Sequence, residues 1–201
     1  KMGLSALAII QFERVRRSYP YMVEPLIALA RLHLENLSTS LAVNLAEDAV
    51  HIEPSNKEAQ LVLVDALISN QSLRRARQQA NKLLDLYPND AQVLHANAEV
   101  SQAEGDLERA QRFLEVAASR APERLSWQIE LAGLYQSLGN FSSARASYDE
   151  ILKNDAGDLE ALSGLAHLYE FDLNDFLRAR NVYERILKII PDDPARSEER
   201  R

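Results

Sequence analysis

The fold is decided by residues 131–148, which read Leu-Ala-Gly-Leu-Tyr-Gln-Ser-Leu-Gly-Asn-Phe-Ser-Ser-Ala-Arg-Ala-Ser-Tyr. Apolar residues stand three and four positions apart on both sides of Gly139, which is the spacing of amphipathic helices and not the alternation of strands. A glycine between two such runs can adopt the left-handed conformation that ends a helix. The stretch therefore predicts two helices joined by a tight turn.

The same pattern recurs along the chain with a period of 34 residues. Two columns mark the period, one of proline (Pro20, Pro54, Pro88 and Pro122) and one of alanine (Ala8, Ala42, Ala76, Ala110 and Ala144). A fixed period of this length indicates copies of one supersecondary unit stacked on each other. In the last copy the alanine column is displaced by one residue, so we expect an insertion between Tyr169 and Ala179.

Each copy carries two breaks. The first break ends the first helix, and its predicted residues of positive φ are Gly105, Gly139 and, one residue earlier in their copies, Asn36 and Asn70. The second break follows the proline column, and its predicted N-caps are Asn56, Asp90 and Asp158.

The pattern resembles the tetratricopeptide repeat, a 34-residue helix–turn–helix with a large/small pair in its first helix, alanines in its second helix and a closing proline. The residues that carry the resemblance are Leu131, Ala132, Tyr135, Gly139, Ala144 and Tyr148, and then Leu165, Ala166, Tyr169, Ala179, Tyr183 and Pro191. The resemblance implies an all-α fold, a right-handed superhelical solenoid of antiparallel helix pairs.

We expect one solenoid over residues 1–193. Its predicted parts are the second helix of a partial repeat at 3–19 and full repeats at 23–56, 57–90, 91–124, 125–158 and 159–193. Residues 194–201 form a polar tail without an apolar face. Since repeat arrays usually protect their ends with capping helices, we expect this chain to be an excerpt of a longer array.

Composition excludes several classes of function. The formal net charge of −7 argues against a nucleic-acid partner, because binding phosphates needs clustered Lys and Arg. The chain has no cysteine, which excludes disulfides, thiolate metal sites and a cysteine nucleophile. No run approaches the roughly 20 apolar residues of a membrane span, so we expect no membrane insertion. These properties predict a soluble protein of the cytoplasm or of a bacterial periplasm.

The sequence carries no recognisable catalytic constellation. The histidines His33, His51, His95 and His167 lie on different predicted helices, and no metal-binding spacing, phosphate-binding loop or nucleophile elbow is present. We therefore expect no enzymatic activity, no cofactor and no metal.

In the family that the pattern resembles, the first helix of each pair lines a concave groove where ligands lie. The residues predicted to form a partner-binding groove here are Ile27, Arg31, Leu34, Leu61, Asp65, Ile68, His95, Glu99 and Ile129. The early copies contribute apolar side chains, and Asp65 and Glu99 add acidity. An apolar patch rimmed by charge is typical of interaction sites. The expected partner is a protein or peptide segment with apolar anchors and at least one Lys or Arg. Further repeats of the parent chain are an alternative partner.

The leading hypothesis is a non-catalytic scaffold for a partner protein. One alternative is the periplasmic repeat region of an outer-membrane component that exports polysaccharide or assembles a pilus. Another is the regulatory or substrate-recruiting arm of a larger enzyme such as a glycosyltransferase. Some relatives grip a chaperone's C-terminal carboxylate with a Lys/Asn/Arg clamp, but Ile27, Val62, Gln92 and Ala96 hold most of the corresponding positions, so we do not expect that role.

Overall fold

The computed structural model describes the backbone of residues 2–189 and the side chains of residues 5–189. This part of the chain is helical and contains no strand. Its helices are α1 (Met2–Ser18), α2 (Val23–Glu35), α3 (Thr39–Ile52), α4 (Lys57–Ser69), α5 (Leu73–Leu86), α6 (Ala91–Ala103), α7 (Leu107–Arg120), α8 (Leu125–Ser137), α9 (Phe141–Asn154), α10 (Leu159–His167) and α11 (Phe176–Ile189). A π-helical turn, Leu168–Asp172, lies between α10 and α11. The predicted polar tail and Pro191 lie outside the described residues.

The chain divides into two compact units, residues 1–117 and 118–201, with the boundary inside α7. In unit one, α4 packs directly on both α2 and α6, and α3 and α5 each pack against the two helices that flank them in sequence. Unit two has the same local arrangement, in which α8 contacts α10 and α9 packs against both. Within each unit, helices that follow one another in sequence are therefore antiparallel, as short turns require.

The alanine column is buried between helices in both units. Ala42 and Ala76 in unit one and Ala144 in unit two are fully buried, and Ala179 continues the column after the insertion. A methyl group is small enough to let two helix backbones approach, and large neighbours fill the grooves beside it. The large residues that complete the two cores are Leu29, Leu67 and Leu83 in unit one and Ile151, Leu162 and Leu168 in unit two.

The predicted N-caps are confirmed. The side chain of Asn56 accepts a hydrogen bond from the backbone N–H of Ala59 at 3.0 Å, and Asp158 accepts one from Ala161 at 2.8 Å. Asp90 accepts from Gln92 and Val93 and also pairs with Lys57 at 2.6 Å. Partial burial opposes ionisation of Asp90, but these hydrogen bonds outweigh burial and hold its pKa below the ordinary value.

The turns after the first helices confirm two predictions and correct two others. Gly105 and Gly139 have φ of 82° and 75°, as expected. The prediction of positive φ at Asn36 and Asn70 is wrong, because their φ values are −91° and −84°. The positive φ falls one residue later, on Leu37 and Gln71, both at 57°.

The physical reason for this correction is the hydrogen-bond register of the turn. In the first four of these turns an N–H bonds back to the carbonyl five residues earlier, as in Ser38 to His33 and Asn140 to Tyr135, both at 2.8 Å. In this Schellman motif, the residue just before the one that donates the N–H adopts the left-handed conformation. The 34-residue period, and not the preference of the side chain, therefore decides which residue adopts it.

The predicted insertion between Tyr169 and Ala179 is taken up by the π-helical turn. In the fifth turn the N–H of Asp175 bonds to the carbonyl of Tyr169 at 2.7 Å, which spans one residue more than the equivalent bond in the other turns. Asn174 has φ of 52° and takes the place of the turn glycine. One wider helical turn thus absorbs the extra residue and leaves α11 in register.

Leu37→Gly should stabilise the protein by about 1 kcal/mol, because an L-residue in the left-handed region costs about that much and Leu37 is an exposed side chain. The free energy of unfolding from urea titrations measures this. Gly105→Ala is the matched control, since a Cβ at Gly105 would meet no atom within 4 Å and only the backbone cost remains. It should destabilise by a similar amount. A lower stability of Leu37→Gly would contradict the argument.

Candidate partner-binding site

Eight of the nine predicted groove residues lie on three neighbouring helices of unit one. They are Ile27, Arg31 and Leu34 on α2, Leu61, Asp65 and Ile68 on α4, and His95 and Glu99 on α6. Spacings of three and four residues bring the members from each helix to one face. The ninth, Ile129, lies on α8 in unit two, where it is half-buried against that unit's core. The eight residues of unit one form a surface that we call the first-helix face.

The apolar part of this face is smaller than the sequence suggests. Ile27 is only 5% exposed and belongs to the core, because α2 packs directly against both α3 and α4. The expectation that Ile27 contributes exposed surface is therefore corrected. Leu34, Leu61 and Ile68 are half-buried and pack on the core with part of each side chain uncovered.

Charged pairs lie beside these apolar residues. Arg31 Nη1 lies 2.8 Å from Glu58 Oε1, and this pair, more than half exposed on both sides, links α2 to α4. On α6, His95 Nδ1 lies 3.4 Å from Glu99 Oε2. An exposed ion pair such as Arg31 with Glu58 contributes little to stability, so it can rearrange at little cost.

Asp65 has a strongly shifted pKa. Burial, followed by the negative charge of Glu99, raises its pKa to about 7, although His95 and Arg31 both act in the opposite direction. Within the described residues no side chain or backbone N–H donates a hydrogen bond to the Asp65 carboxyl group. The face therefore holds a half-buried carboxyl group with unused acceptor capacity.

A polar network fixes α6, which presents His95 and Glu99. Asn97 is fully buried where most copies have leucine, and its Nδ2 donates to the backbone carbonyl of Ala80 on α5 at 3.1 Å. Arg77 of α5 donates to Ser101 at 3.1 Å and pairs with Glu104. These hydrogen bonds and the ion pair hold α6 against α5. The sequence shows the polar residues, but not that they meet.

In unit two, a separate polar cluster lies at the end of α10. Gln136 Nε2 donates to His167 Nδ1 at 2.8 Å and to Asp172 Oδ2 at 2.5 Å. The π-helical turn carries Asp172, and burial together with the charge of Asp172 raises the pKa of Tyr148. Sequence analysis missed Asp172, because only the widened turn brings it to Gln136. These groups satisfy one another and leave no open carboxylate like that of Asp65.

Two classes of site find no support in the described residues. Their His, Asp and Glu side chains form no group of three that could hold a metal ion. None of the helices described is long and apolar enough to cross a membrane.

Family models of the tetratricopeptide repeat match residues 39–99, 102–168 and 159–193. The chain belongs to the tetratricopeptide repeat family. The resemblance and the predicted all-α solenoid class are thereby confirmed. Tetratricopeptide repeat proteins are generally protein-interaction scaffolds, which agrees with the general part of the functional hypothesis. A search of curated protein sequences finds no significant match to this chain.

Solved structures share the fold at low sequence identity. TTC0263 of Thermus thermophilus is 22% identical with a TM-score of 0.74, over 85% of this chain and 93% of that one. A tetratricopeptide repeat protein of Parabacteroides merdae is 17% identical with a TM-score of 0.76, over 98% and 77%. YrrB, described as having an unusual peptide-binding site, is 14% identical with a TM-score of 0.62, over 90% and 93%. These likenesses show the repeat fold alone.

Asp65→Asn should remove a pH dependence of stability. The pKa of Asp65 is about 7 in the folded protein and 3.8 for an ordinary aspartate, so the folded state keeps a proton that the unfolded state loses. Its contribution is greatest below the lower pKa and is lost as the pH rises through the higher one. Relative to the variant, the wild type should lose up to about 3 kcal/mol of unfolding free energy between about pH 5 and about pH 8.

Urea unfolding of both proteins across this pH range measures the difference. Glu58→Gln is the control, since Glu58 is exposed. A plot of its unfolding free energy against pH should stay parallel to that of the wild type. Parallel curves for Asp65→Asn and the wild type would contradict the burial argument.

Proposed function

We propose that this protein is a non-catalytic scaffold whose first-helix face captures a segment of a partner protein. The segment carries apolar side chains and a Lys or Arg, whose cation binds between Asp65 and Glu99. The observation that supports this most directly is the half-buried Asp65 carboxyl group, which lies beside a second carboxylate and accepts no hydrogen bond in the described residues.

The electrostatics favour a cationic ligand. An ionised carboxylate that is removed from water without a partner is unfavourable, and Glu99 adds repulsion. The free protein relieves this cost by keeping a proton on Asp65 up to about pH 7. A bound ammonium or guanidinium group relieves it in another way, because the cation stabilises the ionised form. Binding of a basic side chain and loss of the Asp65 proton are therefore linked.

The remaining residues of the face suit an apolar anchor. Leu34, Leu61 and Ile68 keep part of their surface uncovered and lie on the same helices as the charged groups. The exposed pair of Arg31 and Glu58 forms a polar rim beside them. An apolar centre with a charged rim is the usual composition of a protein-binding surface.

The likeness to YrrB supports only the general part of the proposal. That protein has a peptide-binding site on the same fold, and at 14% identity its site residues cannot be transferred to this chain. The roles in polysaccharide export, in pilus assembly or as the arm of a larger enzyme depend on segments other than these residues. They stay hypotheses that the flanking gene sequence would test.

Selection from a library of random dodecapeptides at about pH 8 tests the proposal. Selected peptides should be enriched in one Lys or Arg together with apolar residues. The double variant Asp65→Asn/Glu99→Gln should bind a selected peptide at least about tenfold more weakly, since charge-assisted hydrogen bonds of this kind contribute roughly 1.5–3 kcal/mol. Wild-type affinity should also rise from about pH 6 to about pH 8 as Asp65 loses its proton, and the variant should not show this rise.

The matched control is Asp85→Asn/Glu108→Gln, which removes two exposed carboxylates of unit one that lie on α5 and α7. It should bind the selected peptide like the wild type. Selected peptides without basic residues, or equal loss of affinity in both double variants, would show that the first-helix face is not the cation site.

A further inference from the structure

One side of α1 carries both aliphatic and basic residues. Leu7, Ile10, Arg14 and Arg17 are spaced three and four apart, so they lie in one stripe along the helix. All four are exposed, and Leu7 and Ile10 are each 59% exposed. We call these four residues the α1 stripe. It presents aliphatic side chains at one end and guanidinium groups at the other.

The α1 stripe is exposed because of its place in the repeat, not because of where the chain begins. One period later its positions lie on α3, and two periods later they lie on α5. The residues at these positions are Leu41, Asn44, Asp48 and His51 on α3 and Arg75, Gln78, Lys82 and Asp85 on α5. All eight are exposed, although each of these two helices packs against both of its neighbours in sequence. Helix packing within an array therefore leaves the α1 stripe open, and the aliphatic side chains of Leu7 and Ile10 are not needed for the core.

The two arginines of the stripe are free to bind an acidic partner. Within the described residues neither Arg14 nor Arg17 has a carboxylate within salt-bridge distance, whereas Arg16 pairs with Glu13 at 3.4 Å. Residues three apart on a helix have Cβ atoms about 5–6 Å apart, so the two charges act together. In a protein with a formal net charge of −7, the stripe is therefore a local basic site.

The first-helix face offers the matching chemistry. Asp65 and Glu99 place two carboxyl groups beside aliphatic side chains that are partly uncovered. On α4, Leu61 precedes Asp65 by four residues, and in the stripe Ile10 precedes Arg14 by four residues. At a rise of about 1.5 Å per residue, this spacing is about 6 Å along either helix axis. The apolar group and the charged group are therefore equally far apart on both surfaces, and the charges are opposite.

We propose that the α1 stripe of one molecule binds the first-helix face of a second molecule of this protein, with its guanidinium groups at Asp65 and Glu99. This inference rests on the proposed function, because it names the partner that supplies the cation and the apolar side chains. In its own molecule the stripe is exposed and therefore not seated on the face. Since the two surfaces differ, the contact is heterologous, and each molecule donates a stripe to one neighbour and receives a stripe from another.

Two double variants test this contact. Arg14→Glu/Arg17→Glu alters the stripe alone, and Asp65→Asn/Glu99→Gln alters the face alone. In sedimentation equilibrium at about pH 8, above the pKa of Asp65, the wild type should self-associate, and each variant by itself should associate at least about tenfold more weakly. An equimolar mixture of the two variants should form 1:1 dimers, because one variant keeps an intact face and the other keeps an intact stripe.

The matched control is Arg74→Glu/Lys82→Glu, which makes the same change of net charge at two exposed basic residues of α5. It should associate like the wild type, and equal weakening in this control would overturn the inference. Circular dichroism should show all three variants to be as helical as the wild type. Added salt should weaken the self-association of the wild type, because it screens the charges of the contact.

The outcomes separate this inference from the proposed function. A wild type that stays monomeric overturns the inference, while basic dodecapeptides that bind through Asp65 and Glu99 would still support the proposed function. Undiminished self-association of either variant, or a mixture that forms no dimers, would show that molecules meet through other surfaces, and the inference would again be wrong. If neither the peptides nor a second molecule requires Asp65 and Glu99, both are wrong.

Discussion

Burial of a small side chain at every position of the alanine column is the constraint on which the other features depend. Ala42 and Ala76 have no exposed surface, and neither has Ala144. Any larger residue at these places would separate helices whose contact buries the leucines beside them. Because the contact recurs every 34 residues, each copy must keep its length or compensate for a change. The stability of such arrays comes mainly from contacts between neighbouring copies, so an error of register in one copy would affect the next.

Two local irregularities show how strongly this register acts. Leu37 and Gln71 adopt positive φ, which is unfavourable for both residue types, since their position in the turn requires it. In the last copy an extra residue is accommodated in the π-helical turn Leu168–Asp172, and Ala179 stays buried in the alanine column. The same turn brings Asp172 to Gln136 and His167. A small change in chain length thus produced a polar cluster that the other copies lack.

The surfaces that remain after packing differ in chemistry. On the first-helix face of unit one, the repeat leaves a half-buried carboxyl group beside a second carboxylate, and burial rather than a specific partner dominates its pKa. On α11 it leaves an apolar groove with an ordered tyrosine. One repeat can therefore leave surfaces of different chemistry, because equivalent positions are covered in one copy and exposed in another, as Tyr148 and Tyr183 are.

The sequence by itself determined the helical class, the period, the N-caps Asn56, Asp90 and Asp158 and the place of the insertion, because these follow from local hydrogen bonding and from apolar spacing. It also predicted which helices would carry the candidate site. Tertiary structure decided that Ile27 is buried and that burial raises the pKa of Asp65, since both depend on how α4 packs against α2 and α6. It also decided the π-helical turn and the exposure of Tyr183. A periodic pattern states which residues are equivalent, but only the packed helices show which of them are covered.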